Sequence, residues 1–291
     1  MRAKVILCAV ACAVVLAGMA SVAQADKVIL SVPDWNQPTT YGVAGYPSWC
    51  SPTAGACLMG YWEDVLAKVK LTDAKVFPLS PPYAANPATY QQGLWNDGTV
   101  EMGWYMDTGS WQTNNGPYPP NVGGTQSPNI GPGAVAYAGA GWVDPGTAIV
   151  KTAYAASTWK DVLLSPQMWS NYCGEIDNNR PVLVSWDNWV SNMTGVVNIN
   201  GTPVELWNLG GGTSGGHTVC GVGYYDPTPL AIWSGDERII AQDNWNTTGQ
   251  YVAVLVGGGA WTQNDYINVP EPATLSLLAL GGLALLRRRN R

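Results

Sequence analysis

The chain contains one phenylalanine and one histidine among its 291 residues, and only 14 lysines and arginines. Each scarcity removes a class of function. A single imidazole, His217, excludes His-rich zinc centres and leaves one side chain whose ordinary pKa suits proton transfer near neutrality. The shortage of cations, set against 20 Asp and Glu, makes nucleic acid an unsuitable partner, because phosphate binding relies on Lys and Arg. With phenylalanine almost absent, the aromatic load falls on 15 Trp and 14 Tyr, rings with a polar edge that suit half-wet surfaces and binding grooves. Asp107, Asp144, Asp177, Asp187, Asp226 and Asp265 lack the spacing of a calcium loop. Neither a metal nor a cofactor is expected.

Long apolar runs are missing from the body of the chain and confined to its two ends. Arg2 and Lys4 precede an apolar stretch from Val5 to Ala20 and the small-residue triplet Ala23-Gln24-Ala25, the pattern of a signal peptide cut after Ala25. At the other end Pro270-Glu271-Pro272 is followed by fourteen uncharged residues, Ala273 to Leu286, and then by Arg287, Arg288, Arg289 and Arg291. A stable transmembrane helix needs about 20 apolar residues, so this span is short, and the arginines predict a cytoplasmic C-terminus. The order of Pro-Glu-Pro, short apolar span and arginine cluster resembles the PEP-CTERM sorting signal. That resemblance implies processing by an exosortase and a final place at the cell envelope, the outer surface or, after removal of the tail, outside the cell.

Without the leader and the tail, eight basic residues face nineteen acidic ones, a net charge of −11 on the exported body. Residues 26–268 are long enough to bury a full core as one domain, with residues 269–291 as the tail. Cys8 and Cys12 leave with the leader, so the mature protein carries Cys50, Cys57, Cys173 and Cys220. Four cysteines in an exported chain allow three complete pairings. Cys50 and Cys57 are excluded as a pair if they share a helix, since two turns separate them by about 10 Å.

The body opens on an apolar stretch from Lys27 to Val32 that predicts a strand. Ser51 to about Lys70 then predicts a helix, with Pro52 suited to its first turn and Ala54, Cys57, Leu58, Tyr61, Val65 and Leu66 at helical spacing. Residues 72–149 are dense in Pro, Gly, Asn and aromatics without periodicity, which predicts an insertion built on short strands and turns. A second helix is expected from Ser157 to Asn171. Strands are expected over Pro181–Trp186, His217–Tyr225, Ile239–Gln242 and Tyr251–Val256. One early helix, a long interlude and several strands imply an α+β fold.

Cys50 stands at the start of the helix, where free N–H groups and the helix dipole favour a thiolate. A thiolate beside an imidazole is what cysteine nucleophilic catalysis requires. A carboxylate that fixes the imidazole tautomer would complete the set, and Asp243, just after a short strand, can supply it.

Trp49-Cys50-Ser51-Pro52-Thr53-Ala54 resembles the helix start of papain-like cysteine peptidases of the C39-like group, in which Cys-Gly-Pro is followed by Thr or Ala. Gly216-His217-Thr218-Val219 and Gly221-Val222-Gly223-Tyr224 resemble the group's Gly-His strand followed by Val-Gly-Tyr, and Arg180-Pro181-Val182 its preceding strand. Gln242-Asp243-Asn244-Trp245 occupies the place of the third catalytic residue, and by that correspondence Asp243, rather than Asn244, orients His217. Val32-Pro33-Asp34-Trp35-Asn36-Gln37 matches the opening pattern whose Gln helps to form the oxyanion hole, which makes Gln37 a donor beside the Cys50 N–H. The resemblance implies a papain-like fold, a catalytic helix packed on an antiparallel sheet, and a cysteine peptidase or amide hydrolase acting on a peptide or protein. In this chain Ser51 replaces the usual Gly after the nucleophile, and Gln37 lies thirteen residues before Cys50. The alternative is a non-catalytic surface or matrix protein on the same scaffold, its Trp- and Tyr-rich middle stacking on exopolysaccharide. Acyl transfer would use the same residues as hydrolysis.

Overall fold

The computed structural model describes residues 26–28, 32–35, 49–64, 71, 102–110, 124–140, 142–143, 150–151, 153–162, 165–187, 191–209, 216–227, 234–242, 244, 251–256 and 261–269. In chain order, the elements are β1 (Asp26–Val28), α1 (Cys50–Asp64), α2 (Ile130–Gly139), β2 (Trp142–Val143), β3 (Val150–Lys151), β4 (Ser157–Val162), α3 (Pro166–Asp177), β5 (Val182–Trp186), β6 (Ser191–Ile199), β7 (Thr202–Leu209), β8 (His217–Tyr225), β9 (Arg238–Gln242), β10 (Val252–Leu255) and β11 (Trp261–Asn268). The leader, and the tail beyond Val269, lie outside the described residues. Among those that are described, no helix is long and apolar enough to cross a membrane.

One large sheet runs in the order β4-β11-β5-β8-β9-β10-β7-β6, with β1 also paired to β8. Its described pairs are antiparallel except β10 with β7. β8 and β5 lie inside it and are buried over nearly their whole length. That is why both read as continuous apolar runs instead of alternating ones. The α+β expectation holds.

α1 packs against β8 and β5, and every residue from Cys50 to Trp62 is buried. A helix buried on all sides is central to its domain. It carries Gly55 and Gly60, each costing about 1 kcal/mol relative to Ala, but complete burial of Leu58 and Met59 contributes about 2 kcal/mol apiece and offsets them. Gly60 is needed for close approach, because a Cβ there would lie 2.7 Å from the Trp35 ring.

Within residues 72–149 the described parts are mainly helical, against the expectation of short strands. A helical turn over 102–105 places Met102 and Met106 against α1, and α2 packs beside them. α2 reads poorly as a helix because its sequence, IGPGAVAYAG, is rich in glycine. The geometry gives the reason at Gly133, where a Cβ would sit 2.7 Å from the Cα of Met106. The other end of this segment docks on the sheet: Gln263 on β11 donates to the Ser127 carbonyl at 3.1 Å, and the Gly131 N–H donates to the Asp265 carboxylate.

The expected helix over Ser157–Asn171 is corrected to a strand followed by a helix. β4 is an edge strand paired with β11, and α3 begins only at Pro166, after Ser165, whose hydroxyl accepts from the Met168 N–H at 3.1 Å. Serine at the cap and proline in the first turn set the true start. α3 buries Met168, Trp169, Tyr172 and Ile176, and the Tyr172 hydroxyl donates to the Gly223 carbonyl on β8 at 2.6 Å.

Candidate active site

Two elements converge to form the site. Cys50 is the first residue of α1 and His217 the first of β8, opposite Trp186 on β5. Both are buried, at 7% and 6% relative exposure. The His217 side chain and the Thr218 N–H face the sulfur, and the Ser51 hydroxyl, whose proton goes to Thr218 Oγ1, has its oxygen 4.0 Å away. Burial alone would raise the thiol pKa; the charge and hydrogen bond of His217, with those two further groups, outweigh it and hold Cys50 below the usual thiol range.

The other cysteines behave in the opposite way. Burial pushes the Cys57 thiol up to about 12, and the Cys173 and Cys220 thiols are likewise raised by burial first of all. All four are free, so no pairing expected of an exported chain forms among them. The sheet explains Cys220: strand alternation turns it from the His217 side, and Cys57 on α1 is among the groups that act on it.

Asn244 braces the site from behind. It is fully buried and its amide donates to the carbonyls of Cys50 at 3.3 Å and Thr218 at 3.2 Å. The side chain therefore ties the first turn of α1 to the start of β8. Its backbone has φ 65, a left-handed conformation that Asn accepts more readily than most residues. Both ends of the amide are engaged, Nδ2 by two main-chain carbonyls and Oδ1 by the Cys57 thiol at 4.0 Å, which makes Asn244 a brace between α1 and β8.

Three hydroxyls complete the floor of the site. Ser51 Oγ donates to Thr218 Oγ1 at 2.8 Å, and Thr218 Oγ1 lies 3.1 Å from Ser185 Oγ on the neighbouring strand. Ser185 and Thr218 are register partners between β5 and β8.

Of the four residues expected to form the site, Cys50 and His217 come together. Asp243 and Gln37 lie outside the described residues. The segments beside them do reach α1 and each other: Trp35 N–H donates to Cys57 Sγ at 3.4 Å, and Gln242 Nε2 on β9 donates to the Val32 carbonyl at 2.8 Å. Asn244 and Thr218 were missed as structural parts of the site. The sequence signal for Thr218 was its place directly after the histidine; for Asn244 no sequence signal indicated which carbonyls it would meet. Among the described residues no cluster of three or more His, Cys, Asp or Glu could hold a metal ion.

A helix that opens on an acidic thiol, laid on a mainly antiparallel sheet beside the lone imidazole, defines the papain-like class. The chain belongs to the Peptidase_C39 like family, whose profile matches residues 29–263. A second profile, the PEP-CTERM protein-sorting motif, matches residues 268–290 and marks the protein for export to the cell envelope or outer surface. Among solved structures, a candidate C39-like peptidase from Bacillus anthracis is similar, with a TM-score of 0.42 and 12% identity over 84% of this chain and 99% of the other. So distant a likeness adds nothing to the family match. Comparison with curated proteins finds none that matches.

Proposed function

We propose that the protein is an exported cysteine peptidase or amide hydrolase. The observation that carries the reading is the meeting of two buried residues, Cys50 at the start of α1 and the lone histidine, His217, at the start of β8; of the four free cysteines, Cys50 is the one whose thiol the surroundings hold below the ordinary range. In this reading the Cys50 thiolate attacks the carbonyl carbon of a peptide bond, forming a C–S bond while the carbonyl electrons move onto oxygen. The Cys50 N–H and the Gln37 side chain stabilise that oxyanion. As the intermediate collapses, the C–N bond breaks and the His217 imidazolium gives its proton to the leaving amine. Water, deprotonated by His217, then releases the acyl group. Asp243 holds the imidazole in the tautomer that faces sulfur. A protein substrate outside the cytoplasm fits the sorting signal, and an exosortase and a signal peptidase are the expected processing partners.

The test compares wild type and Cys50→Ala on peptide libraries, together with labelling by a thiol-directed peptidase inhibitor. The reading requires loss of at least about a thousand-fold in hydrolysis and labelling at Cys50 alone. Equal turnover by the two proteins would refute it. A non-catalytic reading draws on one observation: Trp159 on edge strand β4 is 46% exposed while stacked on Tyr266 at 3.8 Å, a flat ring available to a sugar. Glycan binding that survives Cys50→Ala and disappears in Trp159→Ala would favour that alternative.

A further inference from the structure

Ser51 is where this chain departs from the glycine usual in its family, and its hydroxyl has a defined place. It is 3% exposed, donates to Thr218 Oγ1 at 2.8 Å and lies 4.0 Å from Cys50 Sγ. Thr218, 4% exposed, is a junction: its hydroxyl meets Ser51 and, at 3.1 Å, the 6% exposed Ser185, while its carbonyl accepts from Asn244. Buried hydroxyls persist only when partnered, and this line of three partners itself from helix to sheet. A glycine after the nucleophile would leave the Thr218 hydroxyl without its donor from α1.

We propose that Ser51 and Thr218 act as a hydroxyl bracket that positions the Cys50 sulfur, Ser51 fastening the first turn of α1 to Thr218 so that the Thr218 N–H stays directed at that sulfur. They are positioning residues. The bracket has a second setting. When sulfur carries the negative charge, rotation of the Ser51 O–H from Thr218 toward sulfur adds a donor, and the Thr218 O–H turns back to Ser51, so no proton is gained or lost. Hydrogen bonds to ionised groups are about twice as strong as neutral ones, so the bracket favours the thiolate over the thiol. Among the described residues, the other groups facing Cys50 are His217 from β8, which is titratable, and the uncharged Asn244, which meets its carbonyl.

The inference rests on Cys50 as the nucleophile of the proposed reaction, but its test needs no substrate. The rate of Cys50 alkylation by iodoacetamide is measured from pH 4 to 10 on the folded, full-length mature protein, with the modified peptide quantified by mass spectrometry. Ser51→Ala and Ser51→Gly should move the midpoint of the profile upward by about one pH unit, lowering the rate about ten-fold on the acid limb below both midpoints, with the alkaline plateau within about two-fold of wild type. Thr218→Val should do the same, and Thr218→Ser, which keeps the hydroxyl, should retain the wild-type midpoint. Unmoved midpoints in both Ser51 variants overturn the proposal, as does a fall in the plateau at an unchanged midpoint. If Thr218→Val does not fold, the two Ser51 variants decide alone. Failure of the peptidase reading is separable, because it appears as Cys50-independent hydrolysis whatever the alkylation profile.

Discussion

Cys50 and Cys57 lie on one helix, two turns apart, both buried, and their thiols are driven in opposite directions. Burial acts on each with the same sign, so burial is not what separates them. At Cys57 the surroundings are the Trp35 main chain and the carboxylate of Asp34, whose charge opposes ionisation. Cys50 has the His217 imidazole, whose charge and hydrogen bond favour the thiolate, an N–H from β8 and the first-turn position where the helix dipole is felt. The lesson is that a helix start becomes a nucleophile site only when a second element delivers a cation to it. Under the proposed function, β8 does so with His217, its first residue.

Four substitutions would break or sharpen that contrast. His217→Ala removes the cation and should make Cys50 behave as Cys57 does: its thiol pKa rises, and alkylation at pH 6 falls by about a hundred-fold, measured by timed labelling. Asn244→Ala deletes the donors to two buried carbonyls and places Ala at a left-handed position. We expect a loss of about 3 kcal/mol in chemical denaturation, with Cys50 alkylation slowed because its turn is no longer tied to β8.

Asp265 extends the comparison to another helix start. Although Gln263, Lys160 and the Gly131 N–H of α2 favour its charged form, burial dominates and raises its carboxyl from 3.8 to about 6. An acid whose pKa is higher folded than unfolded makes the native state hold its proton more tightly. Its contribution is therefore full below pH 4 and declines as pH rises through about 6, by at most about 3 kcal/mol. Asp265→Asn, which cannot ionise, should lose that slope: the melting-temperature difference between variant and wild type should move in the variant's favour from pH 4 to pH 7. A constant difference would contradict the assignment. The smallest effect is expected at Cys57→Ala, about 1 kcal/mol of stability from a slightly emptied core, with Cys50 alkylation unchanged at every pH.

Sequence made the interior of the sheet readable and its margins unreadable. β5, β9 and β10 are buried and rich in Val, Ile, Leu and Ala, and β8 is a buried run of small and apolar residues after His217 and Thr218, so composition and length sufficed. The β6–β7 hairpin was missed because its outer strand, SNMTGVVNI, exposes Met193 and Val196 and buries little; pairing, rather than patterning, makes it a strand. β11 carries Gln263, Asn264 and Asp265 into the interior, where Asn264 bridges Trp261 and Tyr266 and Gln263 bonds Asp265. Three consecutive buried polar residues look like a loop until their partners are known. At the site, Cys50 and His217 were legible because their residue types are rare and their positions motif-bound. Asn244 was not, since nothing in its identity reveals that it would turn toward two carbonyls.

β1 gives the maturation of the chain a physical side. The strand begins at Asp26, the residue after the expected leader cut, and pairs with Tyr225, Tyr224 and Gly223 at the far end of the strand that starts with His217. Asp26 also accepts from the Asp226 N–H at 3.3 Å. A cut after Ala25, the expected site, would keep all three described residues of this ribbon, and a cut two residues later would remove two of them. Asp26 is a joint of the scaffold, and a tag fused directly to it would crowd that joint.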